Sequence, residues 1–176
     1  MKSPISSLVA VVLATGVAAA GDLGDNAFFQ ALEGTWRGEG SLTNAEGETQ
    51  DLKNEIEAGF ADDGGTFTIE GSLLIGDSDE SESLDYRWLF TEHSLEGLYL
   101  GRFIDLTNDQ EREFEVSINE AARSAKLTET SGSSAGNRIE LTKQFEGENY
   151  VVDIAFIDSS GNKTLEGHLE FEPVAP

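Results

Sequence analysis

Over most of its length the chain repeats one instruction: every second side chain is oily. Leu52, Asn54, Ile56, Ala58 and Phe60 alternate with Asp51, Lys53, Glu55 and Glu57. Phe67, Ile69, Gly71 and Leu73 form a second row. Leu84, Tyr86, Trp88 and Phe90 form the most aromatic one, with Asp85, Arg87 and Thr91 opposite. A period of two puts one face of an extended strand in a core and the other in water, and no helix satisfies it.

The pattern continues to the end. Segment 97–105 reads as a strand, then the rows Phe114, Val116, Ile118; Ala125, Leu127; Ile139, Leu141, Lys143, Phe145; Tyr150, Val152, Ile154, Phe156; and Leu165, Gly167, Leu169, Phe171. Short turns rich in Gly, Asp, Asn and Ser join them; Asp62-Asp63-Gly64-Gly65 is one that needs positive φ. About ten short strands so connected make a sandwich or a barrel, and hairpin-length connections throughout favour the up-and-down barrel. Only one short helix is expected. Asp25 or Asn26 can cap it, Phe28, Phe29 and Leu32 share one face, and Gly34 stops it. It is expected to plug one end of the sheet.

Directly after it, Leu32-x-Gly34-Thr35-Trp36-x-Gly38-x-Gly40 opens the first strand, with Trp36 as an anchor and two glycines leaving room for whatever packs across. This phrase, ahead of a ten-strand meander, resembles the lipocalin-like (calycin) barrels. It is similar to bacterial families of unknown function and, more weakly, to the haem-binding nitrobindins. The resemblance implies an apolar cup with a ligand entering at one mouth. In nitrobindins a histidine near the C-terminus ligates haem iron, and His168 lies in the corresponding region. Parity opposes that role, because His168 alternates with Leu165, Gly167, Leu169 and Phe171 and so faces outward unless Gly167 forms a bulge.

Residues 1–20 read as a signal peptide: Lys2, an apolar run from Leu8 to about Val17, and Ala18-Ala19-Ala20 before the cleavage point. The run is short of the roughly 20 residues a membrane span needs, so no membrane insertion is expected after cleavage. Residues 21–176 are then one barrel domain, exported from a bacterial cytoplasm to the periplasm or beyond. With no cysteine the domain holds without disulfides, and thiol nucleophiles and thiolate metal sites are excluded.

Charge narrows the partners. There are 34 acidic against 11 basic residues, a net −23. Such a field repels a phosphate backbone, so nucleic acid is excluded as a partner. The acidic loop 77–82 has oxygen ligands for a cation but lacks the spacing and glycine of an EF-hand loop.

Neither histidine, His93 nor His168, sits in a catalytic motif, and no Gly-x-Ser-x-Gly or His-Glu-x-x-His run occurs. The expectation is therefore no catalytic residue, no metal and no cofactor, haem through His168 being the alternative. The candidate cavity residues are Trp36, Tyr86, Trp88, Phe90 and Arg102. Arg87 and Arg102 can recognise a ligand carboxylate if they face inward, or pair with acids on the outer face. The functional reading is an exported barrel binding a small hydrophobic or amphipathic molecule. The competing one is a structural or interaction protein whose aromatics simply fill the core, with oligomeric state left open.

Overall fold

The computed structural model describes residues 23–175 apart from 63, 77–80, 94–97 and 131–137. The segment 1–20 and most of the acidic loop 77–82 lie outside the described residues. A 3₁₀ turn, Leu23–Asp25, leads into helix α1, Ala27–Leu32. Ten strands follow: β1 Gly34–Asn44, β2 Thr49–Phe60, β3 Thr66–Ile75, β4 Glu82–Glu92, β5 Leu98–Asp105, β6 Gln110–Asn119, β7 Ser124–Glu129, β8 Arg138–Glu146, β9 Asn149–Ile157 and β10 Lys163–Pro173. Each pairs antiparallel with the next, and β10 returns to pair with β1, so the sheet closes into a barrel. This is the all-β, up-and-down architecture that the alternation and the short turns predict.

The alternation is what closes it. The inner rows of the ten strands are largely apolar and join one continuous core, while nearly all the described acids stand on the outer face, Glu129 being the buried exception. Curling a sheet this tightly needs room on the inside, and glycines supply it. Gly38 faces Phe171 across the β1–β10 seam, where a Cβ would lie 2.6 Å from the ring. Gly40 lies so close to the His168 carbonyl that it has no space for a side chain at all. Gly71 faces Tyr86, and an added Cβ would stand 2.5 Å from that ring. In each case a bulky group or backbone fills the space a glycine leaves.

Helix α1 plugs one end of the barrel. Asn26 caps it, accepting from the Phe28 N–H at 3.0 Å, and donates from Nδ2 to the Tyr99 hydroxyl at 3.1 Å. At only six residues the helix cannot persist by itself, and packing holds it. Phe28, Phe29 and Leu32 are fully buried; Phe29 meets Phe67, Phe90 and Tyr99 at centroid distances of 4.9–5.7 Å. Gly34, at φ 119, ends it and starts β1. Among the described residues no helix is long and apolar enough to cross a membrane.

Candidate functional site

Above the plug the aromatic rows make a floor. Trp88 stacks on Phe90 with centroids 5.6 Å apart and planes within 11°, and Phe29 supports Phe90 from below. Over this floor the barrel keeps a cavity of about 270 Å³. Its walls are aliphatic and aromatic, Leu52, Ile56, Leu73, Phe114, Leu141 and Val152 among them. That volume is a little below the roughly 300–1,000 Å³ of drug-sized ligand sites, and it suits a small molecule.

Few polar groups enter this interior, and each does so by strand parity. Arg112 extends the inward row of β6 by one step and Glu129 that of β7. They pair at 2.8 Å, and Glu129, almost wholly buried, also accepts the Ile139 N–H at 3.0 Å. Asn54 on β2 donates from Nδ2 to the Tyr86 hydroxyl at 2.7 Å. Burial pushes the Tyr86 phenol up to about 12, and Asn54 offsets only part of this. Tyr150 on β9 is raised well above the usual phenol range, by burial first and by Tyr86 second. The Tyr150 hydroxyl and Asn54 Oδ1 are buried with no hydrogen-bond partner among the described residues. Such groups lose their water without compensation.

Lys143 is the most unusual of them. It sits in the row Ile139, Leu141, Lys143, Phe145 of β8, so parity sends an ammonium-bearing chain into an apolar chamber. It is 4 % exposed. Its Nζ lies 4.7 Å from the Trp88 ring centroid and 5.5 Å from that of Phe90. Among the described residues no carboxylate pairs with it; the buried acid of the interior, Glu129, stands further along the barrel and is taken by Arg112 and a backbone amide. Burial lowers its pKa from 10.5 to about 7.

Of the residues singled out from the sequence, Tyr86 and Trp88 line the cavity. Phe90 lies beneath Trp88 in the floor. Trp36 is not among the lining residues: it packs on Phe145 and Tyr150, and its Nε1–H donates to the Leu32 carbonyl at 2.9 Å, pinning α1 to β1. Arg102 is on the outer face. Tyr99, Gly101 and Phe103 take the inner row of β5, so Arg102 faces out and stands 3.8 Å from Glu111. Arg87 is also outside, paired with Glu70 at 2.7 Å. An inward arginine does exist, but it is Arg112, which the alternating rows read from the sequence leave out; Lys143 stands in its row there without a role.

His168 faces solvent. Asp153 Oδ1 is 2.7 Å from its Nδ1 and raises its pKa, with Glu170 a lesser partner. The strand pairs in unbroken register from Leu165 to Phe171, so Gly167 forms no bulge that would turn the ring inward. No histidine lines the cavity, and its volume is short of a macrocycle. The residues do not fit histidine-ligated haem.

No family model matches the sequence, and no curated protein matches it. Solved structures do. An S-type phycobiliprotein lyase from Guillardia theta superposes with a TM-score of 0.60 at 13% identity, over 88% of this chain and 96% of that one. A protein of unknown function from the DUF3598 family of Nostoc punctiforme gives 0.56 at 11% identity, over 83% of this chain and 49% of that one. The fold is a lipocalin-like barrel.

At these identities the likeness carries the architecture alone. It nevertheless corrects one expectation. The sequence, lacking any catalytic motif, was read as that of a non-enzyme, yet this lipocalin-like barrel has a structural neighbour that is named a lyase. The absence of a nucleophile elbow or zinc motif therefore does not decide the question for this fold.

Proposed function

We propose that this lipocalin-like barrel binds a small, largely apolar molecule in the chamber above Trp88. One observation carries the reading: the inward rows, which have ample aromatic bulk to fill the barrel, leave an apolar space of about 270 Å³ at its centre. A purely structural barrel gains from closing such a space, since each unfilled methyl-sized void costs about 1 kcal/mol. The exported location remains part of the proposal, and rests on Lys2, the apolar run and Ala18 to Ala20.

The test is a titration with decanol and 1-aminoanthracene, followed by thermal shift and by tryptophan emission. A ligand at 100 times its Kd stabilises the fold by about 2.7 kcal/mol. Emission from Trp88 is expected to change, and Trp88→Phe to abolish that change while leaving Trp36 as the reporter. No thermal shift with either probe refutes the reading.

A further inference from the structure

We propose that Lys143 is a carbonyl-trapping residue: its amine forms an imine with the aldehyde of a small apolar ligand held in the barrel. The inference rests on the reading of the chamber as a ligand site and names the chemistry of that site.

Three features of the interior lead to it. The first is position. Lys143 Nζ lies over the floor tryptophan inside the cavity, so a ligand in the chamber meets this nitrogen. The second is the missing counter-ion. Glu129 is engaged by Arg112 and by the Ile139 amide, and Tyr86 and Tyr150, the phenols facing the same space, hold their protons because burial raises both. Nothing among the described residues fixes Lys143 as a cation except the Trp88 and Phe90 faces. The third is the pair of unpartnered buried polar atoms, the Tyr150 hydroxyl and Asn54 Oδ1, on two residues that line the same cavity. They offer a proton donor and an acceptor to the oxygen and the hydroxyl that such a reaction creates. A lysine desolvated in an apolar pocket is a recognised route to an amine nucleophile.

The step balances without a co-reactant. The neutral amine's lone pair attacks the carbonyl carbon, and the carbon–oxygen π pair moves to oxygen, which takes a proton. The nitrogen gives up one proton to leave a carbinolamine. The hydroxyl then takes a second proton and leaves as water while the nitrogen lone pair forms the carbon–nitrogen double bond and the nitrogen sheds its second proton. One aldehyde and one amine give one imine and one water, with no change of oxidation state. Dry walls hold back the reverse hydrolysis.

The same position distinguishes this lysine from those outside. Lys163 is exposed and paired with Glu166, which raises its pKa and keeps it protonated. Near neutrality about half of Lys143 carries no proton, since burial brings it to about 7.

The experiment incubates the whole protein with decanal and cyanoborohydride from pH 6 to pH 9. Adducts are counted by intact mass and located by peptide mapping, with decanol run in parallel by thermal shift. The expected result is a single alkylation at Lys143, at least tenfold faster than at Lys53, Lys126 or Lys163 at pH 7. Its rate should rise to a half-maximum near pH 7. Lys143→Met should lose the adduct but still bind decanol. Equal labelling of all four lysines, or a Lys143 rate that tracks theirs in pH, overturns the proposal without needing any variant. Decanol binding with no adduct at Lys143 overturns it while leaving the ligand-binding reading intact. A failure of both probes removes both.

Discussion

Replacing Lys143 with methionine is expected to stabilise the protein, and to do so only over a defined range of pH. Methionine keeps the length and flexibility of the side chain and removes the charge. The magnitude follows from the burial. The pKa falls from 10.5 to about 7, roughly three and a half pH units at about 1.4 kcal/mol each, an upper bound of about 5 kcal/mol. Against this stands the attraction to Trp88 and Phe90, worth about 1–2 kcal/mol when desolvated, which the variant loses. The net gain at pH 6 is therefore about 3 kcal/mol, a large share of the 5–15 kcal/mol that holds a typical domain together.

The sign is fixed by linkage. Between pH 7 and 10.5 the unfolded chain binds this proton and the folded one releases it, so wild-type stability rises with pH across that window. Below 7 both states are protonated and the penalty is constant; above 10.5 both are neutral and it vanishes. Urea denaturation of wild type and Lys143→Met at pH 6, 8 and 10 should thus give a difference that shrinks towards zero. The raised Tyr86 and Tyr150 destabilise both proteins alike at alkaline pH and cancel in the difference. A difference that stays flat from pH 6 to pH 10, or a variant less stable at pH 6, refutes the reasoning.

Other substitutions read other parts of the barrel. Gly71→Ala pushes a methyl against the Tyr86 ring and should cost about 1–3 kcal/mol in urea titration, whereas Gly40→Ala meets the His168 backbone, which cannot turn aside, and should cost more. Arg112→Ala leaves Glu129 buried without its cation and should cost about 3–5 kcal/mol, while Arg37→Ala, breaking an exposed pair with Glu55, should cost less than about 1 kcal/mol by the same assay. Removing the plug's central ring by Phe29→Ala should cost about 3–5 kcal/mol, visible as a fall in Tm. Asp153→Asn should lower the His168 pKa, followed by its ring proton resonances in NMR, because the Asp153 hydrogen bond is the main cause of its rise; an unchanged midpoint would show that Glu170 holds it instead.

Parity along a strand is written in the sequence, and the fold follows from it. The oily row from Leu52 to Phe60 could face only one way, and the short connections between ten such rows favoured a closed barrel over a sandwich. Height along the barrel axis is not written there. Trp36, Trp88 and Phe90 all point inward, yet one pins the plug, one faces the chamber and one lies between, depending on how the strands stagger against α1. The polar residues of the interior were legible in principle. Lys143 stands in its inward row between Leu141 and Phe145, and Arg112 and Glu129 are each one step beyond an oily row. A reading that follows hydrophobic residues stops short of Arg112 and Glu129, where the row turns charged, although the geometry does not; it passes through Lys143 without asking what a charge does there. Arg102 was the converse case: its neighbours Gly101 and Phe103 already occupied the inside. What no alternation discloses is which buried charges find partners: Arg112 meets Glu129 across 17 positions, whereas no carboxylate among the described residues pairs with Lys143.

The seam between β1 and β10 sets the long-range step of folding. Nine of the ten strand pairings join neighbours in sequence, but Gly34–Asn44 gains its second partner only when Lys163–Pro173, at the far end of the chain, comes back to it. Until then β1 offers a free row of backbone donors and acceptors to any passing strand, its own siblings included. Slow, long-range closure of this kind lengthens the exposure. The charges of Arg37 and Glu39 on the outward side of that strand are what stands guard during the wait.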